Sequence, residues 1–153
     1  MTDRSDTRRR ALGNVVQQPI PLLDRPLIYV AGYFSANPMH GTRNAFNHAR
    51  ALEDAGFTAF VPHVSILADI IYPQTPDYWY AYDLALLARC DAMYVCPDEE
   101  TLRSTGVHNE ILFCEERGIP VIYTLPTAEA WLRVWEQKRN LGERSVGCAK
   151  CYV

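Results

Sequence analysis

The sequence predicts an α/β protein, a Rossmann-like or flavodoxin-like three-layer sandwich around a parallel sheet of four to five strands. Three observations carry that reading. Short apolar runs rich in valine, isoleucine and tyrosine recur along the chain. Between them lie longer stretches whose apolar residues fall at helical spacing. The runs themselves are continuously apolar instead of alternating, as strands covered on both faces must be. Strand and helix therefore alternate, joined by right-handed crossovers.

The elements follow in order. Residues 1–25 are polar and then punctuated by Pro19, Pro21 and Pro26, so they read as a flexible arm. Arg8-Arg9-Arg10 has no apolar core behind it, which argues for a solvated arm and against a secretory signal. Residues 26–139 form the domain and 140–153 a tail. Leu27–Ala31 is the first strand, ending at Gly32 and a loop of small and turn residues to Gly41. Thr42–Ala55 reads as a helix, with Ala45, Ala49 and Leu52 on one stripe and Gly56 as its stop. Phe57–Val61 is the second strand, closed by Pro62-His63, and Val64–Pro76 a loop with room for one helical turn. Asp77 is placed to cap a helix running to Arg89. Ala92–Cys96 is the third strand, followed by an acidic loop, Pro97–Leu102, and a helix from Val107 to Arg117 that stops at Gly118. Ile119–Thr124 makes the fourth strand and Thr127–Lys138 the last helix.

Composition narrows the function. The chain has 153 residues, 48% hydrophobic and 22% charged, ordinary for one globular domain. A net charge of −3 disfavours a broad nucleic-acid surface. No apolar run approaches the ~20 residues of a membrane span, so a cytoplasmic protein without a membrane partner is expected. Five cysteines, three of them in apolar strand or helix contexts, suit free thiols in a reducing compartment. Cys148 and Cys151 form a lone CxxC without further ligands at zinc spacing, and the four histidines make no metal pattern. Neither metal nor cofactor is expected.

Ligands of parallel sheets bind outside the carboxyl ends of the strands. That edge gathers Gly32 to Ser35, Pro62-His63 and Pro97 to Gly106. Ser104-Thr105-Gly106-Val107 opens a helix, whose first amides have no intrahelical acceptor and suit an anion. Glu110 lies one turn in, about 60° from Val107 on the helical wheel, at the border of the buried face. A carboxylate is costly there unless something uses it. Helices run antiparallel to the strands, so Asp83, in the first half of its own helix, reaches the same rim. Singly, each residue has a plainer reading. Tyr29 suits a core tyrosine, Asp83 a solvated turn, His63 a strand cap, and Tyr78 to Tyr82 ordinary packing.

Four stretches in order resemble the nucleoside 2-deoxyribosyltransferase superfamily, which includes deoxynucleoside 5′-monophosphate N-glycosidases. They are Ile28-Tyr29-Val30-Ala31-Gly32, Pro62-His63, Tyr82-Asp83-Leu84 with Cys90-Asp91-Ala92, and Ser104 to Glu110. The resemblance covers about residues 27–124. It implies Glu110 as nucleophile at the anomeric carbon, Tyr29 as its orienting partner, and Asp83 as the group protonating the leaving base. It further implies that Gly32, Tyr33, Ser35, His63, Trp79, Ser104, Gly106 and Val107 line the substrate, with Tyr72 or Tyr78 as other candidates for stacking. Transferases acting on free nucleosides carry an acidic residue where Ser104 stands, and the monophosphate glycosidases carry serine. The expected activity is therefore cleavage of the N-glycosidic bond of a nucleoside 5′-monophosphate. A nucleoside deoxyribosyltransferase and a non-catalytic nucleotide sensor are the alternatives. A homodimer or higher homo-oligomer is expected. Tyr33 departs from the relatives' proline or serine and stands where its ring could crowd a phosphate.

Overall fold

The computed structural model describes residues 20–142, and over them the chain is an α/β sandwich on a four-stranded, all-parallel sheet. Strands β1 (Leu27–Ala31), β2 (Thr58–Phe60), β3 (Ala92–Val95) and β4 (Val121–Ile122) lie in the order β2-β1-β3-β4. Tyr29 pairs with Phe60 on one side and Met93 on the other. β1 and β3 are buried almost throughout, as two-sided coverage requires.

Alternation along the strands sorts their side chains to two faces. Ile28, Val30, Tyr94 and Ile122 pack with α1 (Pro38–Ala55) and α6 (Leu125–Asn140). Tyr29, Ala31, Met93 and Val95 pack with Leu87 of α3 (Pro76–Leu87) and with Val107 and Cys114 of α5 (Thr105–Arg117). Ala45, Ala49 and Leu52 form the buried stripe of α1, as their spacing predicts. Fully burying Leu52 contributes about 1.5–3 kcal/mol. Gly56, at φ 114°, and Gly118, at φ 68°, close α1 and α5 in the left-handed conformation expected of helix-stopping glycines.

The helix starts differ from the sequence reading, and local chemistry explains each difference. α1 begins at Pro38 because Asn37 Oδ1 accepts the His40 amide at 3.1 Å and proline suits the first turn. Gly41 therefore lies inside the helix, where a Cβ would stand 2.1 Å from the Tyr33 carbonyl oxygen. Only glycine fits. Thr75, not Asp77, caps α3, its Oγ1 accepting the Tyr78 amide at 3.2 Å. The segment after β2 forms a 3₁₀ turn, Pro62–Val64, and then α2 (Ser65–Ile71). The acidic loop becomes a short helix, α4 (Glu99–Arg103), nucleated by its cap Asp98. β4 is shorter than the predicted 119–124 strand because Thr124 turns to cap α6.

Cys90, Cys96 and Cys114 are buried free thiols. Cys148, Cys151 and most of the predicted arm lie outside the described residues. Among the described residues no helix is long and apolar enough to cross a membrane.

Candidate active site

One strand and two helices bring the three predicted catalytic residues together. Tyr29 projects from the centre of β1, and its hydroxyl donates to Glu110 Oε1 at 2.7 Å, a buried contact between residues 81 apart in sequence. Glu110 sits one turn into α5, 9% exposed, on the edge of the stripe made by Val107 and Cys114. Asp83 comes from α3, and its Oδ1 is buried without a hydrogen-bond partner. A buried carboxylate oxygen without a protein partner is costly, and such a group calls for an explanation, a bound ligand among them.

Electrostatics follow from that burial. Desolvation pushes Glu110 up to about 7; Asp83 nearby pushes the same way, and the Tyr29 hydrogen bond opposes both. Burial likewise pushes Asp83 up to about 7. Tyr29 is raised well above the ordinary phenol value, by burial first and then by the charges of Glu110 and Asp83. It therefore stays protonated and remains the donor. Two carboxyl groups poised near neutrality beside one phenol can exchange a proton with a substrate at physiological pH. Tyr29 also breaks the symmetry of the pair. Its hydrogen bond favours the ionised form of Glu110, while the unpartnered oxygen of Asp83 favours the protonated form there.

The loop after β1 is held tightly. The Tyr33 amide donates to Thr101 Oγ1 at 3.1 Å, and its carbonyl accepts from His63 Nε2 at 3.0 Å. Its hydroxyl hydrogen-bonds His40 Nδ1. The ring is 5% exposed and tucked under the start of α1, so every polar atom of Tyr33 is engaged within the protein. His63 is buried and neutral, since desolvation lowers its pKa; with its Nε2 proton on the Tyr33 carbonyl, Nδ1 is left without a partner. A Cβ at Gly32 would touch Ala45, His63 and Cys96, so that glycine admits α1 and His63 against the strand end. Ser35 lies exposed in the loop.

The predicted anion site is partly used by the fold itself. Ser104 is the N-cap of α5, its Oγ accepting the Val107 amide at 3.4 Å. Thr105 and Gly106 follow Ser104 as exposed residues, and a Cβ at Gly106 would meet only Ser104 Oγ, at 3.8 Å. Trp79 donates its indole N–H to Asp69 at 2.6 Å and packs with Tyr72, Tyr78 and Tyr82.

Three residues near the site were not among the predicted site residues. Tyr80 is the aromatic of α3 whose hydroxyl senses Glu110, which raises its pKa after the larger effect of burial. Asp98 caps α4 through the Thr101 amide, accepts the Thr101 hydroxyl, and holds Asn44 of α1, each at 2.8 Å. Thr101, fully buried, passes that order on to the Tyr33 amide. The signal for the last two was the Asp-x-x-Thr spacing of a helix cap, hidden in a stretch that looked like an acidic loop. Elsewhere a surface groove of about 520 Å³ between α1 and β2 is lined by Phe46, Arg50, Glu53 and Phe60, and no predicted site residue borders it. No group of three potential metal ligands occurs among the described residues.

No family model, curated protein or solved structure matches this chain.

Proposed function

We propose that the protein cleaves the N-glycosidic bond of a nucleoside 5′-monophosphate through a covalent intermediate on Glu110. The observation that carries this reading is the buried Tyr29–Glu110 hydrogen bond beside the unpartnered Asp83 carboxyl. Glu110, ionised, attacks the anomeric carbon; the bond to the base nitrogen breaks, and its electron pair leaves with the base. Protonated Asp83 supplies the proton that the leaving nitrogen takes up. The resulting glycosyl ester is then opened by water. Asp83, now ionised, accepts the water proton, which returns both carboxyl groups to their starting states. Tyr29 holds the Glu110 oxygen in line and remains protonated throughout. The 5′-phosphate is assigned to the exposed amides of Thr105 and Gly106 with Ser104 behind them. A homo-oligomer and a cytoplasmic setting belong to the same reading.

One observation favours the transferase alternative, in which a free nucleoside binds and a second base replaces water. Ser104 already satisfies one of the amides, and Glu99 and Glu100 lie just ahead of the site on α4. An uncharged 5′-hydroxyl tolerates those charges better than a phosphate does. The test is release of free base from a panel of matched nucleosides and 5′-monophosphates, with and without an added acceptor base. Base release from nucleotides into water is the expected result. Turnover of nucleosides only when an acceptor is present would replace the first reading by the second, and no release from any member would overturn both.

A further inference from the structure

We propose that Thr101, with Asp98 behind it, is a positioning residue that sets the distance between the two walls of the substrate pocket. The inference rests on the nucleotide reading of the site for what the pocket holds, and it adds which residue decides the fit.

The two walls come from distant parts of the chain. One is the loop after β1, Gly32 to Ser35; the other is the start of α5, Ser104 to Val107. Thr101 touches both. Its Oγ1 accepts the Tyr33 amide at 3.1 Å, and its carbonyl accepts the Ser104 amide at 3.1 Å. The side chain holds one wall and the backbone the other, so a single residue spans the gap. Thr101 is fully buried, and each of its polar atoms is engaged. Its amide donates to Asp98 Oδ1 and its hydroxyl to Asp98 Oδ2, both at 2.8 Å. A hydroxyl that donates on one side and accepts on the other is fixed in direction. Asp98 Oδ2 also accepts from Asn44 Nδ2 at 2.8 Å, which ties the spacer to α1, the helix that follows the first wall.

Capping does not account for this arrangement. The cap of α4 needs only the contact from the Thr101 amide to Asp98 Oδ1, and that contact is independent of the Thr101 hydroxyl. Packing of α4 does not account for it either. The helix has five residues and buries Thr101 alone, the one that joins the walls. The reacting groups are held by other means. Tyr29 stands on β1 and bonds Glu110, while α5 is seated by Val107 and Cys114 in the apolar layer. Without the Thr101 hydroxyl the buried Tyr33 amide loses its acceptor, and the loop must move to find another. The walls then lose their spacing while the reacting groups keep theirs. A defect of that kind weakens binding and spares the chemical step.

Thr101→Val removes the hydroxyl at similar size, and Thr101→Ser restores it. For base release from the common deoxynucleoside 5′-monophosphates, Thr101→Val is expected to raise KM about tenfold with a far smaller change in kcat. Thr101→Ser is expected to stay close to wild type. Calorimetric affinity of the same nucleotides for the Glu110→Gln protein, with and without Thr101→Val, needs no turnover and should weaken by the same factor. Leu52→Ala lowers stability on the opposite face and should raise neither constant. Asp98→Asn keeps an oxygen for the cap but gives up an acceptor; it covers the case in which Thr101→Val does not fold, and should move KM the same way. Unchanged KM and affinity in the folded variants, or an equal rise in Leu52→Ala, would overturn the inference and leave the chemistry of Glu110 standing. If nucleotide binds but is never cleaved, the reaction assigned to Glu110 falls, and a tenfold weaker affinity with Thr101→Val still supports the spacer. A wild type that neither binds nor cleaves any of these nucleotides would overturn both.

Discussion

The two faces of the sheet are built from alternate residues of the same strands, yet they do opposite work. On one face Ile28, Val30, Tyr94 and Ile122 meet α1 and α6 in a wholly apolar layer with Leu52, Phe57 and Leu132. On the other, Tyr29 and Met93 meet α5 and α3, and that layer contains a buried glutamate and an orphaned aspartate oxygen. Among the described residues the first face has two long helices and no buried carboxylate without a partner, while the second has a helix with a single buried residue. Burial that disfavours charge is what raises both carboxyl pKa values into the neutral range. One face is apolar packing, and the other carries the polar groups that the proposed reaction uses.

The largest expected effect separates the faces by activity. Glu110→Gln should lower base release by about a thousandfold or more while the fold survives, because the amide keeps the Tyr29 contact but cannot act as nucleophile. Turnover near wild type on the best substrate would remove Glu110 from the mechanism. On the opposite face, Leu52→Ala should cost about 2–5 kcal/mol in urea unfolding, with kcat per folded molecule unchanged. A large loss of kcat at temperatures where the variant is fully folded would mean the faces are coupled.

Linkage gives a third prediction, and its sign follows from the raised pKa of Glu110. An acid that moves from 4.5 unfolded to about 7 folded binds more protons in the native state between those values. Stability from this group is therefore present at low pH and is lost as pH rises from about 4.5 to about 7, by about 3 kcal/mol at most. Glu110→Gln removes the loss. The variant should be more stable than wild type above pH 7 and should converge with it near pH 4 in denaturant titrations. A gap that stays constant across that window would show that the carboxyl is not shifted by folding.

Ser104→Asp sharpens the picture at the rim between the faces. It should reduce kcat/KM for a nucleotide roughly a hundredfold relative to the matched nucleoside, as charge-assisted contacts to phosphate become repulsion. An equal loss for both substrates would place the 5′ group elsewhere. The smallest effect is expected from Cys148→Ser with Cys151→Ser, which should change neither activity nor metal content. Stoichiometric zinc present in wild type and lost in the double variant would refute it.

What the sequence determined by itself was whatever depends on near neighbours. Runs such as Leu27–Ala31 and Ala92–Val95 identify themselves because two-sided burial demands unbroken apolarity. Gly56 and Gly118 mark helix ends because a positive φ costs glycine least. Helical phase alone placed Glu110 beside the buried stripe. Tertiary structure decided the rest. Only the register of β1 against β3 and the seating of α5 place the Tyr29 hydroxyl on a carboxylate 81 residues away. Tyr33 illustrates the limit most clearly. Its ring reads as an obstruction in the substrate loop, but Gly41, His40, His63 and Thr101 draw it inward and use all its polar atoms. No local pattern encodes that, because the partners come from α1, the turn after β2 and α4, and each contact gains its strength from burial that exists only after the chain has packed.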